Sequence, residues 1–221
     1  NPKYSPRVIA IGTNTDPYQP AERHMRIMRS ILEVLAAFNH PVGIVTKSHL
    51  ITRDIDILAP MARKGLVNSF LSITPLDAKL ARDMEPRASA PHRRLEAVEA
   101  LANAGIPGGV MTAPRIPGLN DHEMETILQE AQARGARSAG YVVLRLPLEI
   151  KDLFREWLHA HVPDRADRVM SLVRQMRGGK DYDAEWGRRM RGEGPIAQML
   201  SQRFDNACRK LGLNEKRFQT D

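Results

Sequence analysis

Five short apolar runs recur along the first 147 residues of the chain, and amphipathic stretches separate them. Each run is apolar throughout, which is typical of a strand buried on both faces. The runs begin near residues 7, 41, 66, 107 and 140, and they read RVIAIG, PVGIVT, LVNSFLSI, PGGVMTA and GYVVLRL. The stretches between them carry apolar residues at helical spacing and cover 22–38, 53–64, 89–104 and 121–134. The alternation predicts βα units with a parallel sheet, and it fits both a barrel and an open doubly wound sheet.

The pattern changes after Pro147, where three helical stretches follow one another without a strand. These stretches are 148–161, 165–177 and 195–212. We therefore expect an α/β part over residues 1–147 and a helical extension over residues 148–221 that packs on it. A linker rich in glycine and arginine, 177–192, precedes the last helix and carries Tyr182 and Trp186.

Composition narrows the classes of function. The net charge of +7 and the pI near 9.8 permit an anionic partner such as nucleic acid. The single cysteine, Cys208, excludes an internal disulfide and a cysteine-based zinc site, and we expect it to be a small buried residue. No apolar run is long enough for a membrane span and no signal peptide is visible, so we expect a cytoplasmic protein. Walker, dinucleotide-binding and GxSxG motifs are also missing from the sequence.

Polar residues stand at the ends of the predicted strands and form the candidate site. In a βα fold the carboxyl ends of the strands meet on one face, where ligands bind. Lys47 could bind a carboxylate and Asp16 an ammonium group, which together suit a zwitterionic ligand. The alternative for the first loop is structural, with Asp16 or Thr15 as the N-cap of the following helix. The strand-end residues are Thr13, Asn14, Thr15, Asp16, Lys47, Ser48, Ser72, Thr74, Ala113, Pro114, Arg115 and Arg145.

The linker also allows two interpretations. Tyr182 and Trp186 lie among Arg177, Lys180, Arg188, Arg189 and Arg191. Aromatic and basic side chains together can stack on bases and pair with phosphates, as in single-strand nucleic-acid binders. The other interpretation, which we favour from the sequence, is that the two rings anchor the tail onto the α/β part.

Six segments of the chain closely resemble a bacterial family of radical S-adenosylmethionine (SAM) proteins related to spore photoproduct lyase. They are GTNTDPYQPAE (12–22), VTKS (45–48), LSIT (71–74), MEPRAS (84–89), GVMTAPRIPGLND (109–121) and RQMRGGKDYDAEWGRRMRG (174–192). The resemblance implies a partial (β/α)6 TIM-like barrel with a C-terminal helical extension. It also implies a 4Fe–4S cluster held by a CxxxCxxC motif, an external electron donor, and reductive cleavage of SAM to a 5′-deoxyadenosyl radical that abstracts a hydrogen atom.

The resemblance further implies which residues approach SAM. Thr15, Asp16, Lys47 and Ser72 match positions near the ligand. Ala113 and Pro114 match the barrel strand close to the adenosine. Thr13 occupies the position of a cysteine that donates a hydrogen atom in the lyase, and a hydroxyl is a much poorer donor, which argues against repair chemistry of that type.

The sequence departs from the family pattern because it contains no CxxxCxxC motif, and Cys208 cannot replace three cysteines. The chain begins at Asn1 rather than at a methionine. We therefore expect a radical SAM core that is truncated before its cluster-binding cysteines, lacks the first βα unit and is inactive by itself. The alternative is a non-catalytic barrel remnant that binds nucleic acid or a nucleotide. The substrate, and whether it is a nucleic acid, are left open.

Overall fold

Five parallel strands form one sheet in the computed structural model, which describes residues 4–215. The spatial order is the order in the chain, β1-β2-β3-β4-β5. Every neighbouring pair is parallel, so all five strands end at the same edge of the sheet, here named the carboxyl edge. The strands are β1 (Ile9–Ile11), β2 (Val42–Thr46), β3 (Val67–Ser72), β4 (Gly108–Arg115) and β5 (Ser138–Val143). The predicted α/β class is confirmed, and this order of parallel strands is that of a partial barrel.

Helices connect the strands and follow the last of them. The helices are α1 (Glu22–Met25), α2 (Ile27–Ala37), α3 (Ile55–Arg63), α4 (Ala78–Met84), α5 (Pro91–Asn103), α6 (Met124–Ala133), α7 (Ile150–His161), α8 (Ala166–Gln175), α9 (Arg188–Arg191) and α10 (Gly194–Leu211). Most of the predicted helices are present within a few residues. Two features were missed: α4 lies in a stretch for which no element was predicted, and α9 lies in the linker.

The predicted helix over 22–38 is divided at Arg26, whose backbone is left-handed with φ of 50°. The buried carboxylate of Glu22 explains the division. Its two oxygens accept hydrogen bonds from the backbone N–H groups of Ile27, at 2.9 Å, and Met28, at 3.1 Å. Those groups begin α2 and have no partner within the helix, so Glu22 caps the second helix from inside the first.

The main core lies between the sheet and the helices that cover it. Its fully buried members include Leu32, Ile44, Leu58, Val110 and Ile127, one from each of five elements. The tail joins this core, since α10 packs against α6 and the rings of Phe204 and Tyr141 are 4.8 Å apart. Cys208 is buried there as expected, and burial raises the pKa of its thiol to about 11.

The two outer strands of the sheet differ in how they are covered. The side chain of Asn214 closes the free side of β5, accepting from the Ala139 N–H at 2.9 Å and donating to the Ala139 carbonyl at 3.1 Å. At the other side, Ile9 of β1 is exposed. An apolar stripe on α2 is exposed as well, formed by Ile27, Ile31, Val34 and Phe38. An uncovered edge strand and an exposed apolar stripe each form a surface that is prone to pair with another chain.

We expect residues 1–221 to associate through this surface, and Phe38→Lys to reduce the association. The reason is that a lysine in the stripe adds a desolvation cost to any contact there. Light scattering over a range of protein concentrations measures the effect. Met199→Lys, at an exposed apolar position on α10, is the matched control and should change nothing. A wild-type chain that remains monomeric at all concentrations would contradict the prediction.

Among residues 4–215, no helix is both long enough and apolar enough to cross a membrane.

Candidate functional site

The carboxyl edge carries an open cavity of about 460 Å³ between the loop after β1 and the start of the segment that follows α4. This size is within the range of small-molecule sites. Four of the predicted strand-end residues, Thr15, Asp16, Lys47 and Ser48, line it together. Thr13, Ser72, Ala113 and Pro114 are at the same edge but do not line this cavity. The other lining residues include Tyr18, Glu85 and Arg87.

Gly12 allows the loop after β1, which lines the cavity, to approach β2 closely. Its φ of +92° is rarely adopted by other residues. A Cβ atom at this position would lie 1.9 Å from the carbonyl oxygen of Val45 on β2. The loop can therefore fold close over β2 only if a glycine stands there.

Asp16 fastens that loop to the end of β2. Its Oδ1 accepts from the Thr46 hydroxyl at 2.6 Å and from the Tyr18 N–H at 2.9 Å, and its Oδ2 accepts from the Lys47 N–H at 2.7 Å. The N-cap alternative is wrong, because Ala21 precedes α1 and no side chain caps it. A carboxylate offers about four lone-pair directions, so Oδ2 can still accept one more donor. The predicted contact between Asp16 and an ammonium group therefore stays open.

Lys47 is paired within the chain. Its Nζ lies 2.6 Å from Oε1 of Glu85, whose side chain is 9% exposed. The other oxygen of Glu85 accepts from Arg94 at 2.7 Å, and Arg94 is 1% exposed. The Thr74 hydroxyl oxygen also lies 3.1 Å from Oε1 of Glu85. One buried carboxylate thus holds the cation that follows β2 and a cation from α5.

Glu85 remains ionised despite its burial. Burial alone would raise the pKa of this carboxyl group, but the charges of Arg94 and Lys47 and their hydrogen bonds outweigh it and lower the pKa below the usual range. The net charge of the group around Lys47 is therefore set by two cations and one carboxylate. Sequence reasoning missed Glu85 and Arg94, which are far from Lys47 along the chain.

The ends of β3 and β4 are held by buried arginines through backbone carbonyls. Arg94 donates to the Ser72 carbonyl at 2.9 Å, and the fully buried Arg115 donates to the Thr74 carbonyl at 3.1 Å. Burial lowers the pKa of Arg115 to about 10, so it remains charged at neutral pH. The Thr74 hydroxyl completes the link by donating to the Ala113 carbonyl at 2.8 Å. Ser72 and Ala113 are consequently fixed in position.

The residues present do not fit an iron–sulfur cluster. Three thiolates are needed, whereas the 221 residues contain only Cys208, which lies in the core on α10. Within residues 4–215 there is also no group of three or more His, Cys, Asp or Glu side chains that could hold a metal ion. The cavity fits a zwitterionic ligand better, since it brings Lys47 and Asp16 to one site.

The fold and the cavity define a parallel α/β protein with a charged ligand site at the carboxyl edge of its sheet. Residues 2–131 match the family model described as the Radical SAM superfamily. The chain belongs to the Radical SAM superfamily.

Several curated relatives are themselves uncharacterised. A protein of Mycobacterium tuberculosis is 34% identical over 176 residues, which are 79% of this chain and 52% of the relative. A protein of the Acidianus two-tailed virus is 30% identical over 191 residues, 84% of this chain and 58% of the relative. A protein of Methanocaldococcus jannaschii is 29% identical over 115 residues. The chain thus spans about half the length of the curated relatives it matches.

Solved structures of spore photoproduct lyase variants have the same fold. One variant superimposes with a TM-score of 0.64 at 16% identity, covering 96% of this chain and 61% of the lyase chain. Another, with bound AdoMet and dinucleoside spore photoproduct, gives a TM-score of 0.58 at 16% identity. At this identity the likeness concerns the fold.

Proposed function

We propose that this chain is the SAM-binding core of a radical SAM enzyme and that SAM occupies the cavity beside Lys47 and Asp16. The observation that carries the proposal is the meeting of these two opposite charges in one cavity at the carboxyl edge. Together with a cluster and an external electron donor, SAM supplies a 5′-deoxyadenosyl radical that abstracts hydrogen from a substrate. In this proposal residues 1–147 are the barrel part, residues 148–221 the extension, and the protein is cytoplasmic.

The predicted cofactor-binding residues other than Thr13 each have a role in this proposal. Lys47 binds the SAM carboxylate while Glu85 keeps its ammonium group over the cavity. Asp16 accepts from the SAM ammonium group through the free direction on Oδ2, and Thr15 adds a hydroxyl beside it. Ser72, Ala113 and Pro114 border the adenosine side from the ends of β3 and β4. Thr13 is exposed and has a hydroxyl instead of a thiol, so we propose no role for it in hydrogen return.

The cluster ligands must come from outside these 221 residues, and we propose that the segment carrying them docks on β1 and the apolar stripe of α2. This placement accounts for the exposed Ile9 and Phe38. Residues 1–221 reconstituted anaerobically with iron and sulfide should show no cluster absorption and no SAM cleavage on reduction. A longer protein that includes a CxxxCxxC segment should show both. Absence of both from the longer protein would refute the enzymatic proposal.

The contact between Lys47 and the ligand carboxylate can be measured separately. Lys47→Ala should weaken SAM binding by about 1.5–3 kcal/mol, as for a hydrogen bond to a charged group. The variant should fold, because Glu85 keeps its partner Arg94. Titration calorimetry gives the affinity, and Lys64→Ala, an exposed lysine beyond the end of α3, is the control. SAM affinity that is equal in Lys47→Ala and wild type would refute the role.

A nucleic-acid substrate is favoured by one observation, the exposure of Trp186. The same observation would fit a non-catalytic remnant that binds nucleic acid. The radical SAM core should bind SAM in the cavity, whereas the non-catalytic remnant should not. A chain that binds an oligonucleotide but not SAM would therefore favour the remnant.

A further inference from the structure

The linker passes the end of β5 and is held there by its arginines. Arg177 donates to the Leu144 carbonyl at 2.8 Å, and the guanidinium of Arg191 lies 4.0 Å from the ring centroid of Tyr141 on β5. Tyr182 is partly buried and accepts from Arg145 at 3.5 Å. Trp186, in contrast, is 81% exposed. The prediction that both aromatic rings anchor the tail is therefore wrong for Trp186.

The carboxylates of this region are shared among three arginines. Asp181 pairs with Arg155 and Arg174. The other three carboxylates all pair with Arg188, and they belong to Asp183, Glu185 and Glu193.

The other cations in or against the linker have no carboxylate partner within residues 4–215, and they are Arg145, Arg177, Lys180, Arg189 and Arg191. The linker consequently carries an excess of positive charge, and part of it, Arg189, lies against the exposed ring.

Trp186 presents one open face. The guanidinium of Arg189 covers the other face, 4.1 Å from the ring centroid, in a cation–π contact. An indole ring held in this way is a flat apolar surface next to a fixed positive charge. That combination matches a base with its adjoining phosphate.

Arg145, which contacts the linker, has an unsatisfied hydrogen-bond donor. Its Nε is buried and has no hydrogen-bond partner, and its other nitrogens make only long contacts, 3.5 Å to Tyr182 and 4.0 Å to the sulfur of Met190. Met190 adjoins Arg189 in α9, so Arg145 contacts the same short helix that carries Arg189. Arg145 follows β5 at the carboxyl edge, the edge that also carries the cavity.

We propose that Trp186, Arg189 and Arg145 form a binding surface for single-stranded nucleic acid. One base stacks on the open face of Trp186, and the adjoining phosphates pair with Arg189 and Arg145. This inference deepens the proposed function by naming a substrate class. Binding at this surface involves neither SAM nor a cluster, so it is measured independently of them.

The test uses residues 1–221 and a fluorescein-labelled oligothymidylate of about 15 nucleotides, a length suited to the site sizes of single-strand binders. Fluorescence anisotropy gives the affinity at several salt concentrations. Trp186→Ala should weaken binding about tenfold, because stacking of one base is lost. Arg189→Ala should reduce the slope of log affinity against log salt by about 0.7, the value for one phosphate contact on a single strand.

Arg63→Ala is the matched control. Arg63 is exposed at the end of α3, just before β3 begins, and so lies at the opposite edge of the sheet. It removes the same charge as Arg189→Ala and should change neither the affinity nor the slope. Circular dichroism checks that each variant is folded, which Trp186→Ala should be, since its side chain is exposed.

Three outcomes would overturn the proposal. The first is unchanged affinity in Trp186→Ala, with equal losses in Arg189→Ala and Arg63→Ala, which would indicate attraction to any polyanion. The second is competition by polyglutamate as strong as by unlabelled oligonucleotide, which would indicate that the surface binds an acidic protein. The third is competition by free thymidine monophosphate as strong as by unlabelled oligonucleotide, which would indicate that the surface binds a single nucleotide. Failure here would leave SAM binding intact, and loss of SAM binding in Lys47→Ala would leave oligonucleotide binding intact.

Discussion

Glu85→Ala is expected to lower the free energy of unfolding by about 3–5 kcal/mol, the range for removing one partner of a buried ion pair. The main cause is Arg94, which is 1% exposed and would lose the carboxylate that balances its charge. Lys47 would lose its partner as well. Chemical denaturation of the wild type and the variant measures the change. SAM affinity should also fall, because Lys47 is no longer held over the cavity.

The matched control is Glu96→Ala. Glu96 is half-exposed and pairs with Arg93 at the surface of α5, so its loss should cost about 0–1 kcal/mol. If Glu85→Ala and Glu96→Ala had equal effects, Glu85 would not hold the strand ends together.

The same carboxylate predicts a dependence on pH. Its pKa is lowered in the folded protein, so its contribution is fully present above the ordinary value of 4.5 and is lost as the pH falls through the folded value. The stability difference between wild type and Glu85→Gln should therefore be constant near neutral pH and shrink below about pH 4.5. Thermal unfolding at a series of pH values measures it. A difference that did not change in acid would contradict the lowered pKa.

The strands could be predicted because their signal is local. Each is a run of apolar residues, such as the one that contains Val42 and Ile44, and burial on both faces requires only that run. The break at Arg26 could not be predicted in this way, because its cause is the carboxylate of Glu22, which caps α2 from the preceding turn. The helix α4 was missed since its short sequence has no clear apolar periodicity.

The site was predictable only in part, for a related reason. Parallel strands bring Asp16 and Lys47 to one edge, and the order of the elements is sufficient to infer that. The partners of these residues depend on packing between distant segments. Glu85 and Arg94 look like surface residues in the sequence, and only their burial together makes them part of the site.

In the linker the residue types were noticed in the sequence, but the role of Trp186 was predicted wrongly. Its aromatic residues look like anchors, but Trp186 is exposed. The acids of the linker pair with Arg188, Arg155 and Arg174. Which arginines keep a free charge is decided by pairing geometry, which the sequence does not specify. The inference of a nucleic-acid surface thus depends on the structure, although the residue types were visible from the start.

Asp16→Asn should reduce affinity for SAM more than affinity for 5′-deoxyadenosine, which has no ammonium group. The amide of the variant can keep its oxygen toward the Thr46 hydroxyl and the Tyr18 N–H. Its NH2 group would then face the Lys47 N–H, which in the wild type donates to Oδ2 at 2.7 Å, so two donors would face each other. This mismatch should lower the free energy of unfolding by about 1–3 kcal/mol. The lost charge should weaken SAM binding at least about tenfold beyond any loss for 5′-deoxyadenosine, as for a hydrogen bond to a charged group.

Thr46→Val separates the structural role of Asp16 from its binding role. It removes one donor to Asp16 and loosens the same loop, but it leaves the carboxylate and its charge in the cavity. Affinities for SAM and 5′-deoxyadenosine should then fall by equal factors, whereas in Asp16→Asn they should differ. Titration calorimetry with both ligands on both variants measures the four changes. Equal losses in Asp16→Asn would mean that Asp16 only fastens the loop, and the ammonium group of SAM would have to be bound elsewhere.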